Sequence, residues 1–139
     1  MPLITPADLG THLYPEIIAE ITRNDETIVV AAIDAAIGEA KLYLGRYDVD
    51  ELLMPQGAAD PLLQRMVKDI AVWHLLKLCN VSTADPRIRT AYEDTLATLD
   101  EIKKGSMSPA GWPYAPATSA YTDGSGVAWQ ANEKRNNYY

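Results

Sequence analysis

The chain has 139 residues, one cysteine, a net charge of −7 and 47% hydrophobic residues, a length that fits one domain around one core and a composition that excludes wholesale disorder. No apolar run approaches the ~20 residues that span a bilayer, and the start, MPLITPADLG, has neither the basic nor the apolar region of a signal peptide. The lone Cys79 excludes an intrachain disulfide and most cysteine metal sites, so the expected setting is a cytosolic compartment or something assembled there.

The elements expected in chain order are all helical. Thr5 reads as an N-cap, with Pro6 at the first helical position and Asp8 in the first turn. Pro15 restarts the helix as PEIIAEIT, where Ile17, Ile18 and Ile21 share a face. The next helix is expected from about Thr27 to Tyr47, capped by Asn24 or Asp25. Val29, Ile33, Ala36, Ile37, Ala40, Tyr43, Leu44 and Tyr47 form one broad apolar stripe on it. Opposite lie Ala31, Ala35, Gly38, Leu42 and Gly45, mostly small, while Asp34, Lys41, Glu39 and Arg46 occupy the narrow flanks. A monomer's surface helix normally has one apolar face, so the second predicts close packing against a neighbouring subunit.

Asp48, Asp50 and Glu51 put three carboxylates close together, but they run into Leu52-Leu53-Met54-Pro55 without the glycine and further oxygens of a calcium loop. A solvated acidic turn is expected there. Asp60-Pro61 starts the third long helix, with Leu63, Met66, Val67, Ile70, His74 and Leu78 as its core stripe and an almost wholly apolar end, AVWHLLKLC. Asp85-Pro86 starts the last, which stops at Gly105 after Lys103-Lys104. Its inner face is Ile88, Tyr92, Thr95, Leu99 and Ile102; its outer face is acidic, with Glu93, Asp94, Asp100 and Glu101. The predicted fold is all-α, a compact bundle of about four to five helices over residues 1–105, followed by an extended arm over 106–139.

Catalytic chemistry finds little support in these residues. His74 and Cys79 lie about 140° apart around their helix and do not face one another. A hydrogen-bonded core histidine is the expected role for His74 and a small buried hydrophobe that for Cys79. His12 has no evident partner and is assigned to the surface. There is no phosphate-binding glycine loop, nucleophile elbow or paired zinc ligand set, so neither an enzyme nor a cofactor or metal is expected. Nor does charge favour nucleic acid. Residues 1–105 hold 17 acidic and 10 basic side chains against two of each in 106–139, and a domain this acidic repels a phosphate backbone.

The arm carries six of the eleven aromatics: Trp112, Tyr114, Tyr121, Trp129, Tyr138 and Tyr139. Pro109, Pro113 and Pro116 forbid a continuous helix, and TDGSG is turn chemistry. A single-strand stacking platform needs a basic groove that Lys134-Arg135 alone do not supply. Disordered tails are usually poor in aromatics. Spaced aromatics on an extended segment instead match anchors for pockets on another protein.

Taken in order, ITPADL (4–9), AAIDAAIGEAKLYLGRY (31–47), MVKDIAVWHL (66–75) and RIRTAYEDTLATLDEIKKG (87–105) resemble the Mu-type phage head–tail adaptor (connector) family of small helical proteins. The resemblance covers most of residues 3–105 and leaves the arm outside it. Where members continue after that Arg-Tyr with a short Pro-Leu turn, this chain has Asp48-Val49-Asp50-Glu51, so the resemblance does not carry over to this loop.

The resemblance implies a homo-oligomeric ring, typically of twelve subunits, on the portal protein of a tailed phage. DNA passes through its centre without specific binding, and the next neck, stopper or tail protein docks beneath. It implies a place in the virion neck after assembly in a bacterial cytoplasm, and no membrane. Ala31, Ala35, Gly38, Leu42 and Gly45 would then form the subunit interface, and Glu93, Asp94, Asp100 and Glu101 would be the candidate channel acids. The alternative is a small helical binding or regulatory module that captures one protein through its aromatic arm. A weaker third reading is an enzyme using His74 with a neighbouring acid.

Overall fold

The computed structural model describes residues 2–80 and 86–116. Among these the chain forms a 3-10 helix (Pro6–Thr11) and five α-helices: α1 (Pro15–Thr22), α2 (Glu26–Lys41), α3 (Val49–Leu53), α4 (Pro61–Leu78) and α5 (Pro86–Lys104). The predicted all-α class holds. The predicted start signals at Thr5, Asp25 and Asp60 are all in use. Asp8 Oδ2 accepts from the Thr5 N–H at 2.7 Å and the Thr5 hydroxyl at 2.9 Å, which holds the Asp8 carboxyl below its ordinary pKa. Asp25 caps α2 through Thr27 N, and Asp60 caps α4 through Leu63 N.

α4 is the central element, packing most extensively on α2 and then on α5. Leu63, Met66, Val67, Ile70 and Leu75 of α4 are fully buried. They meet Ala32, Ile33, Ala36 and Ala40 of α2 and Leu99 and Ile102 of α5 in one core. Each such large side chain taken from water contributes roughly 1.5–3 kcal/mol, so this stripe outweighs the intrinsic helix preferences of the segments. The small alanines of α2 let the two helices approach closely. Leu78, assigned to the core stripe from the sequence, is instead exposed at the end of α4.

Two boundaries differ from the sequence reading. Helix α2 ends at Lys41, not Tyr47, and residues 42–47 follow as turns that still bury Leu44 and Tyr47. The acidic stretch after them is not a turn but the start of α3: Asp48 Oδ1 accepts from the Glu51 N–H at 3.2 Å, and Leu52 and Leu53 are buried. The carboxylates at 50 and 51 sit in the first turn of this helix, where its dipole favours negative charge.

The largest departure lies after α5. Gly105 turns the chain at φ +88°, and a Cβ there would collide with the Arg46 guanidinium lying over it. The chain then returns across residues 46–48. Asp48 N–H donates to Pro113 O at 2.9 Å and Ala115 N–H to Arg46 O at 3.1 Å, making a single antiparallel bridge between Tyr47 and Tyr114. Trp112 is only 5% exposed. The boundary drawn at 105 therefore does not match the packing: residues 106–116 are part of the helical domain.

Candidate functional site

Of the residues assigned to subunit packing, Ala31, Ala35 and Gly38 form an exposed line on α2, and Leu42, 71% exposed, continues it at the C-cap. Gly45 is exposed too, but it sits in the turn beyond the helix and does not extend the stripe. A Cβ added at Gly38 meets nothing within 4 Å. Gly38→Leu or Ala35→Trp is thus expected to leave the melting temperature nearly unchanged. If this face packs on a neighbour, the same changes should weaken self-association by ~1–3 kcal/mol through overpacking, as read by sedimentation.

The α5 acids are not a bare negative surface: Glu93 and Asp94 are exposed, as expected of an outer face, whereas Asp100 and Glu101 are half-buried. Glu93 pairs with Arg89 at 3.2 Å and Asp100 with Lys104 at 2.9 Å, both one turn apart. Asp94 is exposed and Glu101 half-buried, its carbonyl receiving the N–H groups of Ser106 and Met107 where the helix ends. Exposed pairs of this kind contribute little stability, and they halve the local charge.

Among the arm residues, Trp112 is not free for a partner. Its ring meets Tyr47 edge-on at 5.4 Å and its indole N–H donates to Asp60 Oδ2 at 2.8 Å. Asp60 thus caps α4 with one oxygen and holds the returning chain with the other. Tyr114 stacks on Tyr47 at 5.2 Å but stays 61% exposed. Tyr121, Trp129, Tyr138 and Tyr139 lie outside the described residues.

Two carboxylate clusters escaped the sequence reading. Asp69, 8% exposed, has His12 Nε2 3.0 Å from its Oδ1, and its Oδ2 accepts from Arg65 at 2.9 Å and from the Thr95 hydroxyl at 3.1 Å. His12 is therefore not a surface residue without a partner; it ties the N-terminal 3-10 segment to α4. The available signal was Asp69 itself, an acid set among Val67, Ile70 and Ala71 one turn after Arg65.

The second cluster joins three helices. Glu39 Oε1 accepts from His74 Nε2 at 2.7 Å, and its Oε2 accepts from the Tyr92 hydroxyl at 2.8 Å. A carboxylate only accepts, so His74 carries its proton on Nε2 here. Tyr92 stacks on Trp73 at 5.0 Å, and Lys77 lies 5.7 Å above the Trp73 ring. Both Glu39 oxygens thus have partners within the domain. His74 is hydrogen-bonded as expected, although half-buried rather than deep in the core.

Burial, together with the bond to Glu39, pushes the Tyr92 hydroxyl up to about 12 from 10.0. Its contribution to stability is therefore complete below pH 10, where both states keep the proton, and falls as pH rises towards 12, because the unfolded chain ionises first. Tyr92→Phe is expected to lose this part of the alkaline decline in melting temperature, measured from pH 9 to 12 against wild type.

Among the described residues no three His, Cys, Asp or Glu side chains gather to hold a metal, and no helix is long and apolar enough to cross a membrane. No curated protein and no solved structure matches the chain. A family does match: the model described as Bacteriophage Mu, Gp36 aligns with residues 4–125, which takes in every helix of the fold and the returning segment that holds Trp112. The chain belongs to the bacteriophage Mu Gp36 family.

Proposed function

We propose that the protein is a structural, non-catalytic adaptor of a tailed phage neck, forming a homo-oligomeric ring on the portal protein. The ring passes DNA through its centre without specific binding and offers a docking surface to the next neck, stopper or tail protein. The observation that carries this reading is membership of a phage Mu family together with an exposed small-residue face, Ala31, Ala35 and Gly38, on a helix whose other face is fully used by its own core. Two further observations support it. The surface is acidic overall, which suits a channel wall along which duplex slides. The two histidine–carboxylate pairs are engaged in holding elements together, with Glu39 occupied on both oxygens.

In this reading the arm acts in assembly through residues 117–139, since 106–116 already serve the domain. Deleting 117–139 preserves every described contact. The deletion is expected to leave helical circular dichroism and melting unchanged and to abolish stable attachment to an isolated portal ring, measured by mass and by electron microscopy of the mixed proteins. A full-length chain that ignored the portal ring, or a truncated one that joined it at normal occupancy, would sink the proposal for the protein or for its arm respectively. Submicromolar binding of duplex DNA at physiological salt would contradict passive passage.

A further inference from the structure

The exposed face of α2 carries more than small side chains. Val30, 42% exposed, and Leu42, 71% exposed, stand towards its two ends, and Asp34 and Lys41 are exposed between them. Seven residues separate the two charges, about 20° short of two turns and about 10.5 Å of rise, so both lie on one flank of the helix. The exposed charges of α5 pair one turn apart, Arg89 with Glu93 and Asp100 with Lys104. Those on α2 cannot. Asp34 has Val30, Ala31, Ile37 and Gly38 at the neighbouring spacings, and Lys41 has Ile37, Gly38, Leu44 and Gly45. Neither charge has an ion-pair partner among the described residues.

The midpoint of the two charges falls between Ile37 and Gly38. A second α2 turned end for end about that point sets its Lys41 beside Asp34 and its Asp34 beside Lys41, two opposite-charge contacts from one face. A parallel copy in register would set Asp34 on Asp34 and Lys41 on Lys41. The antiparallel pairing also brings Leu42 of each copy level with the gap between Ala31 and Ala35 of the other, a large side chain against two small ones. At the centre, Gly38 has no side chain and open space where its Cβ would stand, so the backbones can approach. The complement of this face is the face itself, which only a second copy presents.

We infer that two free subunits pair through α2 of each, antiparallel about a two-fold axis beside Gly38, with Asp34 of each copy on Lys41 of the other. The inference rests on the self-association through this face in the proposed function, not on the phage-neck role. A two-fold contact closes on itself and admits no third copy. The pair and the ring therefore use this face in turn, and ring packing displaces the pair. The size of the face fits an exchangeable contact. Helix α2 has 16 residues, so the face is about 24 Å long and ~10 Å wide, well under the ~800 Å² per partner of a stable complex.

Asp34→Lys and Lys41→Asp each turn both contacts into like-charge pairs, at exposed positions, with circular dichroism to verify folding. Sedimentation velocity of the full-length protein alone, at low ionic strength and up to about 1 mM, is expected to show wild-type monomer and dimer and nothing larger. Each single variant is expected to pair about tenfold or more weakly. The double variant exchanges the charges and is expected to recover wild-type pairing. So is an equimolar mixture of the two single variants, in which each charge again meets its opposite. A wild type that stays monomeric, including one whose residues 117–139 cover the face, would overturn the inference, as would one that assembles beyond a pair. So would single variants that pair as wild type does, a double variant as weak as the singles, or a mixture much tighter than wild type, the mark of parallel or unspecific attraction. The experiment given for the proposed function reads attachment to a portal ring and can succeed where this one fails, so the two failures are distinguishable.

Discussion

Replacing Trp112 by alanine is expected to lower stability by about 3 kcal/mol or more, and the melting temperature by on the order of 10 °C. The change removes a buried ring from the Tyr47 face and leaves Asp60 Oδ2 without its donor. Both losses fall where the chain after Gly105 is tied to the start of α4. Trp112→Phe separates them: it keeps most of the apolar contact and loses only the N–H bond, for an expected ~1–2 kcal/mol. Urea unfolding of the three proteins checks the ordering. Truncation after Met107 should resemble Trp112→Ala rather than a harmless trimming, the reverse of what the composition of the segment predicts. If Trp112→Ala unfolds with the wild-type midpoint, the returning segment adds nothing to the domain.

What could be read from the sequence was set by the range of the forces involved. Helix starts depend on contacts within one turn, and Thr5, Asp25, Asp60 and the Pro residues that follow such caps mark them in sequence. The core stripe of α4 is likewise a local period, legible from Leu63 to Ile70. The apolar period of α2 runs six residues past the helix, because Tyr43, Leu44 and Tyr47 keep it while the backbone has already left the helix. Leu44 and Tyr47 are buried from turns, which periodicity cannot separate from a helix. The place of Trp112 is hidden in the sequence for a related reason. Its proline- and glycine-rich surroundings signal only the absence of regular structure, and its partners, Tyr47 and Asp60, are more than fifty residues away. The YLGRY segment that carries the family resemblance proves to be the seat of that returning chain: Arg46 lies over Gly105, and Tyr47 holds both Trp112 and Tyr114.

The carboxylate clusters were hidden by the same distance. Glu39 is 35 residues from His74 and 53 from Tyr92, and on α2 it reads only as a flank charge. Its removal is expected to be among the costliest polar changes in the protein. Glu39→Ala leaves the His74 N–H and the Tyr92 hydroxyl, both half-buried, without an acceptor, at ~1–3 kcal/mol for each donor that water does not reach. The expected loss is therefore about 2–4 kcal/mol in urea unfolding. Tyr92→Phe and His74→Phe should each cost less than Glu39→Ala, because each leaves the carboxylate one remaining partner. In a double-mutant cycle, adding Tyr92→Phe to Glu39→Ala should cost little further, since the hydroxyl has no acceptor left to lose. Such coupling would mark Glu39 as the joint of α2, α4 and α5. Full additivity, or a Glu39→Ala protein as stable as wild type, would mean that the three side chains meet without holding the helices together.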